Sequence, residues 1–329
     1  MFSARFSDTT RLTLFGAEPI LRTTGRLSLE SHMTRIPRAL LAAAVLATIS
    51  PSIVALRAQS DARERAMYVS VVNDAGDPVE GLGPDAFIVR EDGIRREVLH
   101  VSRATEPIQI ALLVDNSAAA ADHIVHIRAG LTAFVDAMHK EHDIALVGLA
   151  DRPTILVDYT RNRELLMRGI GRVFGMAGSG MTLLDALVEV GRGLEKRDSP
   201  RAVLLPVLTD GVEFTNMYDR TVLDALKKSG AALYAVTIGT FVPGPRDELR
   251  YRAIVLDQGP RITGGYRETV LSSTAVEQTL KKMARELSSQ YKVVYGRPPS
   301  LIPPEKVEVS VTRPGLTARG TPERRKAGA

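Results

Sequence analysis

Apolar residues run without polar interruption from Ile110 to Val114 and from Ala202 to Leu208. Runs of that length read as strands buried on both faces. Ile144 to Leu149 and Leu233 to Ile238 read the same way, and Thr154 to Val157 follows a turn at Asp151-Arg152-Pro153. Between these runs the period changes to three and four. Ile124, Ile127, Leu131, Phe134, Val135 and Met138 predict one amphipathic helix, and Val276, Leu280, Met283 and Leu287 predict another. Asn162 is placed to cap a helix through Phe174, Thr182 opens one to about Lys196, and Asp219 caps one that stops at Gly230. Thr274 with Glu277 has the spacing of a capping box. Strands alternating with helices imply an α/β fold, a doubly wound and mostly parallel sheet with helices on both faces. Tyr291 to Tyr295 is expected to close that sheet.

Upstream, Tyr68 to Arg103 alternates with period two and turns at Asp74-Ala75-Gly76 and Glu91-Asp92-Gly93. This is too little for a stable domain alone. A further strand at Val307 to Val311 is expected to join it, giving a small β module from residues 67–104 with 305–319. Arg35 and Arg38 precede an uncharged stretch from Ala39 to Leu56, with small Ala58 after it. That is the layout of a secretory signal peptide starting at Met33, within an upstream segment 1–58. The expectation is an exported protein, periplasmic, cell-surface or secreted, with no stable membrane span once the signal is removed. A retained anchor is the competing reading.

The chain of 329 residues is 44% apolar, enough for a sizeable core, and carries a formal net charge of +5. The positive balance sits at the ends. Residues 1–58 hold seven arginines against three acids, and the stretch from Arg313 through the basic tail at 320–329 holds five basic residues against Glu323. That leaves 31 basic and 34 acidic residues from Gln59 to Thr312. The body is slightly acidic, which removes the main support for nucleic-acid binding. There is no cysteine, so disulfides and thiolate chemistry are excluded. No G-x-x-x-x-G-K-[ST] and no G-x-S-x-G occurs, so neither a P-loop nor a nucleophile elbow is present. Two H-x-x-H pairs, His123 with His126 and His139 with His142, read as solvated histidines, since imidazole ligands need a third ligand and a support.

The chemistry concentrates where the buried runs end. Asp115 and Ser117 follow Ile110 to Val114, Asp210 follows Ala202 to Leu208, and Thr182 opens a helix. In open parallel sheets the carboxyl ends of the strands face the ligand crevice. Carboxylate and hydroxyl oxygens gathered there suit Mg²⁺ or Mn²⁺. Here the sequence resembles the von Willebrand factor A (VWFA) domain with its metal-ion-dependent adhesion site, Asp-x-Ser-x-Ser, then Thr, then Asp. Asp115, Ser117, Thr182 and Asp210 fall on four of the five positions, and Ala119 stands where the second serine should be. The resemblance implies a VWFA domain over residues 107–297. It implies a divalent ion held by Ser117 and Thr182 directly and by Asp115 and Asp210 through waters, and a protein ligand that adds an acidic side chain. Gly76, Pro78, Val79, Gly81, Leu82, Phe87, Val89, Glu91, Asp92 and Gly93 match the leader of a bacterial VWFA-related family known mainly from acidobacteria. Arg313-Pro314-Gly315-Leu316 resembles that family's ending. The expected function is a non-enzymatic protein-binding module with a degenerate metal site. The alternatives are a metal-free scaffold of the cell envelope and, third, a metal-dependent hydrolase.

Overall fold

The apolar run at Ile110 to Val114 becomes a central strand because both of its faces are covered. Ile110, Leu112 and Val114 face one core, and Ala111 and Leu113 face another. Burying each large side chain there contributes about 1.5–3 kcal/mol. The computed structural model describes residues 64–197, 199–239, 246–298 and 304–323, all within one unit, Ala55–Ala329. The expected export segment at 1–58 and the tail beyond Glu323 lie outside the described residues, as do residues 240–245 of the proline-bearing loop.

In chain order the elements are β1 (Glu64–Asn73), β2 (Phe87–Glu91), β3 (Ile94–Arg96), β4 (Val98–Arg103), β5 (Gln109–Val114), α1 (Ile124–Met138), β6 (Asp143–Gly148) and β7 (Thr154–Thr160). Next come α2 (Arg163–Gly171), α3 (Leu183–Arg197), β8 (Ala202–Leu208), α4 (Asp219–Ser229), β9 (Ala231–Leu233) and β10 (Ala235–Ile238). The last are α5 (Asp247–Thr263), β11 (Arg267–Val270), α6 (Val276–Ser288), β12 (Tyr291–Gly296), β13 (Val307–Val311) and β14 (Leu316–Pro322). The large sheet has the order β11-β10-β8-β5-β6-β7, with β9 also on β8. Every pairing in it is parallel except β6 with β7. Helices α1 and α6 cover one face, and α3, α4 and α5 cover the other. This is the expected doubly wound fold.

The remaining strands form a second layer system. A four-stranded antiparallel sheet, β14-β1-β12-β4, and a three-stranded one, β13-β2-β3, share a core of Met67, Val69, Phe87, Val89, Val293 and Tyr295. The hairpin between β2 and β3 turns on Asp92 and Gly93, both at positive φ, as an Asp-Gly turn requires. Glu286 of α6 ties the two systems together: it accepts from Arg319 Nη2 on β14 at 2.7 Å and from the Tyr234 hydroxyl at 3.2 Å.

Several expectations are corrected. Tyr291 to Tyr295 does not close the parallel sheet. As β12 it pairs with β1 and β4, and its alternating burial explains why: only one of its faces is apolar enough for a core. Strand β14 reaches Pro322 and pairs Val69 with Gly320, so residues 320–322 are strand and not tail. The helix capped by Asn162 ends at Gly171, short of Phe174. Tyr218 takes the cap position of α4 and Asp219 is its first residue. The Thr274–Glu277 box does not form, because Thr274 Oγ1 lies 2.9 Å from Ser272 Oγ and Glu277 pairs with Lys281 instead. His142 is buried, its Nδ1 accepting from the Ile108 N–H at 3.3 Å, rather than solvated.

Candidate functional site

Asp115 follows β5 directly and is fully buried. Its Oδ1 accepts from the Ser117 N–H at 2.9 Å. Its Oδ2 accepts from the Thr209 N–H at 3.1 Å and from the Thr209 hydroxyl. The carboxylate thus fixes its own loop to the loop after β8. Asn116 does the same toward β6, its Oδ1 accepting from Leu149 N at 2.8 Å and Ala150 N at 2.9 Å. Its carbonyl also accepts from Met176 N, which seats the glycine-rich segment before Thr182. Thr182 gives its hydroxyl proton to the Leu149 carbonyl at 2.8 Å, leaving its lone pairs unused by the protein.

The loop after β8 supplies the other wall. A Cβ on Gly211 would stand 3.1 Å from Ser117 Oγ, 3.0 Å from the Ala119 methyl and 3.5 Å from Thr209 Oγ1. Glycine here leaves a cradle that any side chain would fill. Ser117 Oγ, on a residue 1% exposed, lines that cradle with no hydrogen-bond partner. An unpaired buried hydroxyl is costly, and such groups ask for an unseen ligand. Asp210 sits at the exposed edge of the same turn.

Of the sequence-predicted set, the structure brings Asp115 and Ser117 together with the turn that carries Asp210, and it bonds the Thr182 hydroxyl to the Leu149 carbonyl. Thr209, Asn116 and Gly211 complete the arrangement. The side chain of Ala119 turns toward the cradle with a methyl. A hard cation fits this donor set: one orphaned hydroxyl, one hydroxyl with free lone pairs, and nearby carboxylate charge. Among the described residues no group of three or more His, Cys, Asp or Glu side chains gathers as a metal centre, at this rim or elsewhere.

Two residues that sequence reasoning missed stand beneath the turn. Glu213 is fully buried and its Oε1 accepts from Leu184 N at 3.0 Å, at the start of α3. Burial pushes its carboxyl up to about 8, against the pull of the Leu184 N–H and Arg252. Arg252 of α5, also buried, donates from Nη1 to the Gly211 carbonyl at 2.7 Å and lies 3.6 Å from Glu213 Oε2. Burial holds its guanidinium below the usual value, while Glu213, Asp115 and Asp210 raise it. The signal for Arg252 was its register on α5: 252, 255, 256, 259, 260 and 263 are the buried positions, the spacing of a helix face. Apolar side chains at the rim stay exposed, among them Phe174 at 59%, Met176, Val212, Phe214 and Tyr218 at 64%.

No family model matches the chain, and no curated protein does. Solved structures similar to it include a von Willebrand factor type A protein from Catenulispora acidiphila (11% identity, 79% of this chain and 72% of that one, TM-score 0.43). Another is the vWF domain of the type V pili tip protein Mfa5 from Porphyromonas gingivalis (10%, 56% and 96%, TM-score 0.43). Proximal thread matrix protein 1 from the mussel byssus is a third (17%, 60% and 50%, TM-score 0.46). The likeness is one of fold and extends to nothing finer. No helix among the described residues is long and apolar enough to cross a membrane.

Proposed function

We propose that this chain is an exported protein-binding module of the VWFA kind, without enzymatic activity, that binds its ligand at the rim formed by the ends of β5, β6 and β8. The Ser117 hydroxyl carries the reading: it is buried, unpaired and open to the Gly211 cradle, beside exposed apolar side chains. Stability alone does not explain an orphaned hydroxyl beside exposed Phe214 and Val212, whereas binding does. In this reading Ser117 and Thr182 hold Mg²⁺ or Mn²⁺, with Asp115 and Asp210 reaching it through water. When bound, the ion supplies a positive centre for a partner's acidic side chain. Asp115 orients Ser117 through its N–H and locks Thr209 in place. Ala119 withholds one oxygen, so water fills that position and affinity falls.

The second reading is a metal-free scaffold of the cell envelope. Arg252 favours it, since a buried cation already faces the carboxylates from below. Pull-downs from envelope extract with the full chain, with Ser117→Ala and with EDTA decide between them. The first reading expects capture that Ser117→Ala and EDTA both abolish while the fold is retained. Capture unchanged by either would leave the scaffold.

A further inference from the structure

Arg252 is among the largest fully buried side chains of the protein. A guanidinium in that position must be compensated, because burying a charge without partners is expensive. Part of its compensation comes from the rim. Nη1 donates to the Gly211 carbonyl at 2.7 Å, and Glu213 Oε2, two residues along the same turn, lies 3.6 Å away. Glu213 is held in turn by the N–H of Leu184 at the start of α3. Asp115 fixes the other end of the turn through Thr209. Since Gly211 is also the residue whose Cβ would meet Ser117 Oγ at 3.1 Å, these contacts keep the guanidinium within about 9 Å of that hydroxyl. At such a range a buried positive charge both satisfies nearby carboxylates and opposes a second cation.

We propose that Arg252 is a built-in cation for the rim. It clasps the Thr209–Glu213 turn and balances the Asp115 and Asp210 carboxylates, so the turn keeps its shape without a divalent ion and a divalent ion binds there weakly. The inference rests on reading the rim as a binding site. It adds that metal and Arg252 act on one electrostatic site from opposite sides.

Thermal melting of the full chain in EDTA and in Mn²⁺ tests it. The wild type melts at nearly the same temperature in both. Arg252→Gln melts lower in EDTA and gains about 5 °C or more from about 10 mM Mn²⁺. Arg252→Gln with Ser117→Ala loses that gain, and Glu213→Gln, which leaves the guanidinium in place, gains no more than the wild type. Equal Mn²⁺ gains in wild type and Arg252→Gln overturn the proposal. So does an Arg252→Gln chain that stays unfolded with metal present, a gain that survives Ser117→Ala, or a larger gain in Glu213→Gln. Partner capture is read separately: its failure removes the rim as a ligand site, whereas a missing Mn²⁺ difference removes only the role of Arg252.

Discussion

Ser117→Ala is expected to leave the protein as stable as before or more stable, although it removes a residue at the centre of the candidate site. The Ser117 hydroxyl is buried and accepts or donates no hydrogen bond. Its loop is held instead by the backbone N–H, bonded to Asp115 Oδ1 at 2.9 Å, which alanine keeps. An unsatisfied buried polar group costs about 1–3 kcal/mol, so its removal stabilises by about 1 kcal/mol once partial desolvation is allowed for. For a body of this size that is a rise of about 2–4 °C. Urea denaturation in EDTA reads the free energy and calorimetry reads the midpoint. In about 10 mM Mn²⁺ the order is unchanged, because the wild type gains little from the ion while Arg252 is in place. A Ser117→Ala variant less stable by more than about 1 kcal/mol in EDTA would show that the hydroxyl has a structural partner and refute the reasoning.

Asp115→Asn is expected to behave oppositely: turning an amide N–H₂ toward the Ser117 or Thr209 donors costs about 2–4 kcal/mol, measurable by the same denaturation. Ala119→Ser restores the missing oxygen and should tighten Mn²⁺ binding by isothermal titration, with no change in the circular dichroism spectrum. Burial, helped by Arg201, holds the His142 imidazole below its ordinary value, so the folded state resists its protonation. Its stability contribution is therefore full above about pH 6.5 and declines as pH falls; His142→Gln should flatten stability between pH 7 and 5. Glu286→Gln weakens the buried link from α6 to Arg319, itself 21% exposed, and is expected to cost about 2–4 kcal/mol in urea denaturation.

Much of the fold was legible because the buried strands are pure apolar runs and α1 and α6 have clean helical periods. The chain hid α5. Its buried positions carry Arg252, Gly259, Pro260 and Thr263 beside Val255 and Leu256, so the period exists without the hydrophobicity that reveals it. It misassigned β12, since five alternating residues look alike whichever sheet receives them. Asp115 and Ser117 stood out by following a buried run. Asn116 and Thr209 did not, because their roles lie in bonds to distant loops, the Leu149 and Ala150 N–H groups for one and the Asp115 carboxylate for the other. Such partnerships have no local spacing. Glu213 and Arg252 were hidden for the same reason, lying 39 positions apart on elements that meet only after the sheet is assembled.

Strand β1 is sandwiched between β12 and β14, with Met67 opposite both Val293 and Pro322. The first described strand therefore finds one neighbour only once Tyr291–Gly296 is made and the other only after Leu316–Pro322, while the central α/β body needs nothing beyond α6 to complete itself. Until then β1 and β2 wait with bare edges, the condition under which chains stick to one another. Chains shortened to end near Lys306 should yield a well-formed body that precipitates through the β1 and β2 edges left without β14 and β13.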